Sequence, residues 1–377
     1  MPHDLHSSEA DERLALLIDK LCRTRSLSLG EYERLIAQRT PGAASELASR
    51  ADAVRRQVYG TKVFTRGLIE VSSFCKNDCL YCGIRRSNAS ARRYRLSADE
   101  IVECADTGYN LGFRTFVLQG GEDPFFTDDV LCGIVERIHA AHPDCAITLS
   151  FGERSREGYE RLHEVGAERY LLRHETASPT LYRRWHPAEM SLENRMRCLS
   201  DLREIGYAVG AGFMVGAPFQ TAADLACDLQ FIERFQPEMC GIGPFVPHHA
   251  TPFSAFSPGT AELTCYLLSI IRLIKPNVLL PATTALGTIV PDGRERGILS
   301  GANVVMPNLS PVNRRKDYDL YDNKICTGEE AAECRGCLGT RMLSIGYELV
   351  VDRGDMAPVR IGANSNVQEC VAIHVDT

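Results

Sequence analysis

The apolar positions of this chain change their period near residue 67. Before that point they recur every three to four residues, in ADERLALLIDKLCRT, SLGEYERLIAQRT and ASELASRADAVRRQVYG. This predicts three amphipathic helices, with Ser28 as an N-cap and Gly60 as a terminator. From Gly67 onward, short continuous apolar runs alternate with amphipathic stretches. The runs are GLIEVSS (67–73), RTFVLQ (114–119), AITLSF (146–151), RYLLRH (169–174), YAVGAGFMV (207–215), MCGIGPF (239–245), VLLPATT (278–284) and ANVVMP (302–307). Helical patterns such as SADEIVECADTGYNLG, TDDVLCGIVERIHAAH and TAADLACDLQFIERF separate them, as buried parallel strands require.

The expected fold is α/β: a (β/α)8 TIM-type barrel over residues 63–310, an N-terminal helical extension over 1–62 and a short C-terminal extension over 311–377. A doubly wound sheet competes with it, because the helical pattern after the seventh run, PDGRERGILSG, is weak. Polar and glycine-rich residues collect just after the runs, where a barrel carries its active site.

Composition narrows the function more than the fold. The 377 residues carry a net charge of −7, which argues against general nucleic-acid or membrane-surface binding. Small molecules or specific proteins are the expected partners. The acidic start MPHDLHSSEADERLALLIDK does not resemble an export signal, and no stretch approaches the roughly 20 apolar residues of a membrane span. Fifteen cysteines, an odd number, are then expected as reduced thiols in the cytoplasm.

Three of those cysteines stand directly after the first run. Cys75, Cys79 and Cys82 are spaced C-x3-C-x2-C, and the next, Cys104, lies on a predicted helix. A closed zinc site wants four ligands, whereas three thiolates suit a 4Fe-4S cube with one open iron. With Tyr81 before the last cysteine, the motif resembles the signature of the radical S-adenosylmethionine (SAM) superfamily. That resemblance implies two cofactors, a 4Fe-4S cluster and SAM, and reductive cleavage of SAM to a 5′-deoxyadenosyl radical. It also implies that Gly120, Gly121 and Glu122 of QGGED hold the SAM ammonium, and that Glu175 of RHET and Arg195 of ENRMR contact its ribose or amino acid part. The turns GFMVGAP (212–218) and GPFVPH (243–248), with Pro244 and Val246, would form the wall against adenine. A tight turn at QGGED and a solvated helix face for Arg195 are the competing readings; His248 and His249 are expected as ordinary loop residues.

Further along, RYRLSADEI, GFRTFVLQGGED, RYLLRHETA, GIGPFVPH, PATTALGT, GANVVMPNLSP and LYDNKIC are together similar to the HydE family of FeFe-hydrogenase maturases. This implies a small organometallic iron substrate, partner maturases, and an electron donor such as ferredoxin or flavodoxin. The residues it places around the substrate are Arg173, Thr148, Thr283, Thr284, Met306, Tyr318 and Tyr321, donors suited to an anionic complex apart from Met306. Two alternatives stay open. One is a carbon-skeleton or sulfur-insertion enzyme resembling methylornithine synthase or biotin synthase. The other is a non-catalytic iron–sulfur scaffold or carrier. A second trio, Cys326, Cys334 and Cys337, resembles one that can hold an auxiliary surface cluster in some members of that family, while zinc or metal-free thiols are the other readings. The basic run GIRRSNASARRYRL (83–96) is expected as a solvated loop or a docking surface.

Overall fold

The computed structural model describes residues 3–328 and 331–351, and the side chains of 11–328 and 335–351 among them. The three leading helices form as the pattern requires, at His3–Thr24, Leu29–Ala37 and Pro41–Tyr59. Ser28 closes a capping box with Glu31, and Gly60 ends the third helix at φ 61°. Their apolar faces do not stand alone. Leu14, Ile18, Leu21, Leu35 and Leu47 enter one core with Leu229, Leu267 and Ile271 of the helices Ala222–Phe235 and Ala261–Ile274. Each such leucine contributes about 1.5–3 kcal/mol by leaving water, which ties the helical extension to the sheet's outer layer.

Six strands form a continuous parallel ladder in the order Gly67–Ser72, Thr115–Gly120, Ala146–Ser150, Arg169–Leu171, Ala208–Ala211 and Met239–Cys240. Isolated parallel bridges continue it: Met239 to Leu279, Pro281 to Val304, and Leu68 to Asn308. The alternation of side chains sorts the two faces. Ile69, Val71, Phe116, Leu118, Ile147 and Leu149 pack under the outer helices, while Phe64, Leu171, Met239, Leu279 and Val304 meet in a separate cluster.

Several expected strands are shorter than their apolar runs. The fifth and sixth runs each break, and their second halves, Met214–Val215 and Gly243–Pro244, pair in a ladder of their own. Past Pro244 the Phe245 amide still donates to Val215 O at 2.8 Å, and the partner segment then turns at Gly216, φ 70°. The seventh run contributes bridges rather than a regular strand, because Thr283 caps a helix, Thr284–Ile289, that starts within it. A strand at Lys62–Thr65 was not expected. It lies between Val304–Val305 and Glu348–Val350, so the C-terminal extension supplies one of its partners. No helix among the described residues is long and apolar enough to cross a membrane.

Candidate active site

The C-terminal ends of the ladder open into a cavity of about 320 Å³. Cys75, Cys79 and Cys82 line it as free thiols. Their loop is fastened by its backbone. The Lys76 amide donates to Glu122 O at 2.9 Å, Leu80 to Trp185 O at 2.9 Å, and Gly83 to Leu320 O at 2.9 Å. The basic run serves the same loop. Arg85 pairs with Asp78 at 2.7 Å, and Arg93 donates to the carbonyls of Ser73, Ile84 and Arg85. These arginines are therefore structural caps, and the exposed arginines of the run are Arg86, Arg92 and Arg95, the last paired with Asp123 at 2.7 Å.

Gly121 shows how closely the second strand end approaches the cysteines. A Cβ there would sit 2.2 Å from Phe74 O and 2.8 Å from Cys75 Cβ. Burial pushes all three thiols up, and the thiolates would also repel one another; Cys82 is raised to about 12. Three convergent thiols that resist ionising alone, with no fourth cysteine on the cavity wall among the described residues, fit a cationic cluster with one site left open.

Arg195 is not on a solvated face. Its side chain is 9% exposed and lies between two carboxylates, 2.8 Å from Glu153 Oε1 and 3.7 Å from Glu122 Oε1, while donating to Arg173 O at 3.2 Å. Glu175 sits at φ 64°, a left-handed backbone that costs about 1 kcal/mol or more for a side chain with Cβ. Hydrogen bonds from its amide to Gly212 O and from the Met214 amide to its carbonyl hold it there. Arg173 Nη2 and Glu175 Oε2 approach within 3.1 Å, yet their alignment leaves both atoms, and Arg173 Nε, without a hydrogen bond. A ligand carrying either or both charges would satisfy them.

Tyr81 donates to His186 Nε2 at 3.0 Å, because His186 Nδ1 gives its proton to Tyr182 O at 2.9 Å. Burial lowers His186 to about 3, so it stays neutral and available as an acceptor.

Of the residues expected to surround cofactor and substrate, Tyr81, Gly120, Gly121, Glu122, Glu175, Arg195, Pro244, Val246, Arg173, Thr283, Tyr318 and Tyr321 line this cavity. Thr148, Thr284 and Met306 do not. Thr148 is fully buried, on the strand register opposite Arg169, and Thr284 has moved onto the short helix capped by Thr283. Met306 packs beside the cluster of Phe64 and Leu171 below the mouth. His248 is also no ordinary loop residue, being 2% exposed and 3.2 Å from Asp319. In the second trio, Cys326 accepts from Arg294 Nη2 at 3.3 Å and Cys337 is exposed; the side chain of Cys334 lies outside the described residues. Sequence reasoning passed over Gln119, Ser150, His186, Met190 and Leu320. Gln119 lies near the end of the strand Thr115–Gly120 and was legible as a strand-end polar group, whereas His186 and Met190 carry no local signal.

Known proteins resemble this chain in sequence and in fold. The sequence profile of the Radical SAM superfamily matches residues 69–232. The chain is 48% identical over 288 residues to the [FeFe] hydrogenase maturase subunit HydE of Thermotoga maritima, covering 76% of this chain and 82% of that one. It is 27% identical to the 3-methylornithine synthase of Methanosarcina barkeri, over 81% of this chain and 87% of the relative. Among solved structures, a methylornithine synthase superposes with a TM-score of 0.74 at 24% identity, covering 89% of this chain and 97% of that one.

Proposed function

This chain belongs to the radical SAM superfamily, and from that membership we propose that it is an enzyme acting on a small substrate enclosed at the cluster end of a closed eight-stranded barrel. The bridges that join Met239, Leu279, Pro281, Val304, Asn308 and Leu68 support the closed reading. Cys75, Cys79 and Cys82 would hold a 4Fe-4S cluster, and Gly121, Glu122, Glu175 and Arg195 would receive SAM beside it. Bound there, cluster and SAM supply one-electron cleavage of the sulfonium and a 5′-deoxyadenosyl radical. The protein's own part is to orient and to exclude water. Arg195 balances the charges of Glu122 and Glu153 on either side of it, neutral His186 orients the Tyr81 hydroxyl, and apolar walls that include Leu171, Met214 and Phe245 limit the access of water.

The finer reading is maturation of FeFe-hydrogenase, with a small organometallic iron species as substrate. The 48% identity to HydE carries it. Partner maturases and an electron donor of the ferredoxin or flavodoxin kind belong to that reading. A second reading, carbon-skeleton chemistry on an amino acid, is favoured by one feature of the cavity. Arg173 and Glu175 present a cation and an anion side by side without hydrogen bonds, which suits a zwitterion.

The test begins with anaerobically reconstituted protein, reductant and SAM, in which 5′-deoxyadenosine should form. Its absence would leave an iron–sulfur scaffold or carrier. Activation of apo-FeFe-hydrogenase in a maturation mixture that varies only in this chain then separates the two finer readings. Turnover of lysine, with no effect on activation, overturns the maturase reading in favour of the second.

A further inference from the structure

Against the end of the cysteine loop, residues 318–324 form a strap along the cavity wall. Tyr318, Leu320 and Tyr321 line the cavity. Asp319 and Asp322 turn the other way, toward the loop that carries His248 and His249. Asp322 accepts the His249 amide at 2.8 Å and stands 2.7 Å from its Nδ1. His248 Nδ1 accepts the Ala250 amide at 3.1 Å, so its proton is on Nε2 and points to Asp319. His248, His249 and Asp322 lie close enough to share an ion, but these hydrogen bonds already employ them as an outer latch.

The inner fastening is a buried charge pair. Lys324 Nζ donates to Glu70 Oε1 at 2.6 Å and to Tyr318 O at 2.9 Å, and Asn308 Nδ2 donates to Glu70 Oε2 at 2.8 Å. The side chains of Glu70 and Lys324 are 2% and 9% exposed. Desolvation makes such a pair a poor source of net stability, but its geometry is demanding. Glu70 lies on the strand that leads into the cysteine loop, so the pair couples the strap to that strand. A third attachment is the Gly83 amide on Leu320 O. A Cβ at Gly83 would fall 2.1 Å from Asp319 O and 2.5 Å from His248 Cδ2, so the strap touches the residue after Cys82.

We infer that Glu70 and Gly83 are positioning residues for the site: Glu70 through Lys324, and Gly83 by permitting close contact, hold the strap so that Tyr318 and Tyr321 face the substrate and the cluster loop is shielded from water. The strap's position stands on the contacts above; its role toward substrate and cluster rests on the function proposed. Neither residue needs to touch the reacting groups.

The experiment compares hydrogen–deuterium exchange of the metal-free full chain in Glu70→Gln, Lys324→Met, their double variant and Gly83→Ala. Peptides covering residues 318–324 should exchange at least about tenfold faster in Glu70→Gln and in Lys324→Met, the loss expected when a hydrogen bond to a charged group goes, and faster also in Gly83→Ala, whose Cβ would push against Asp319 O. Peptides covering 115–120 and 146–150 should stay unchanged. Glu70→Gln and Lys324→Met share the Glu70–Lys324 bond, and Lys324→Met also loses the bond to Tyr318 O, so the double variant should match Lys324→Met rather than multiply the two singles. After reconstitution, the chelator bathophenanthroline should strip iron several-fold faster from Glu70→Gln than from the wild type. Strap exchange within twofold of wild type in both Glu70→Gln and Lys324→Met overturns the inference. So does an equal rise in the strand peptides, which would mark a merely structural role. Should Gly83→Ala fail to fold, the two side-chain variants decide alone. Failure of the wild type to cleave SAM would sink the proposed function while leaving the exchange result intact, so the two failures are distinguishable.

Discussion

Replacing Arg195 by methionine removes the cation between two buried carboxylates and keeps most of the side chain's volume. Glu122 and Glu153 are 11% and 15% exposed, so neither is well hydrated once its partner is gone. Breaking a buried pair from one side costs about 3–5 kcal/mol. Two residual contacts place this case at the lower end: Lys76 Nζ remains 3.3 Å from Glu122, although it is 53% exposed and worth little, and Asn194 donates to Glu153 at 2.6 Å. We expect Arg195→Met to lose about 3 kcal/mol at pH 7.5, which is roughly a 150-fold shift toward the unfolded state. Urea denaturation of the metal-free protein, followed by circular dichroism, measures this directly. A deficit below about 1 kcal/mol would refute the buried-pair argument, since solvated ion pairs give such values. Arg195→Lys should recover part of the loss, because it restores the charge without the planar fork.

Other perturbations test other parts of the site. Cys79→Ala should reconstitute with little iron and form almost no 5′-deoxyadenosine, as iron analysis and chromatography will show. Gly121→Ala should at least halve the iron bound per chain, because its Cβ meets backbone at 2.2 Å; Gly120→Ala, whose nearest contacts are side chains at 3.3 Å, should retain it. His186 has a folded value near 3 against an ordinary 6.5, so its neutral form stabilises the fold above pH 6.5 and that contribution is lost as pH falls toward 3. The slope is about 1.4 kcal/mol per pH unit, and His186→Gln should remove one proton's worth of it in denaturation midpoints between pH 6.5 and 4.5. Joint replacement of Cys326, Cys334 and Cys337 should leave SAM cleavage within about twofold of wild type, whatever it does to total iron; a larger loss in folded protein that keeps its first cluster would place the C-terminal trio in the catalytic machinery.

What could be read from the chain alone was whatever depends on near neighbours. Ser28 and Glu31, three residues apart, specify a helix start without help from the rest of the protein. The period change near Gly67 marks the onset of buried strands, and Cys75, Cys79 and Cys82 carry their spacing within one loop. Strand-end residues such as Gly121, Glu122 and Glu175 could be placed at the mouth because parallel strands all point one way. Tertiary structure decided the rest. Whether Arg195 faces water or two carboxylates depends on Glu122 and Glu153 arriving from other strand ends. That Thr283 caps a helix and turns Thr284 off the cavity wall depends on where the chain must bend after bridging Leu279 and Pro281 into the sheet. The strand Lys62–Thr65 forms between Val304–Val305 and Glu348–Val350, both of which arrive from the far end of the chain, and Lys324 is buried because Glu70 awaits it on the first strand of the ladder. Helix caps, periodicity and motif spacing are set by bonds within a few residues, whereas a charge's partner, and so its burial and its chemistry, is fixed by which distant strand ends converge on one cavity.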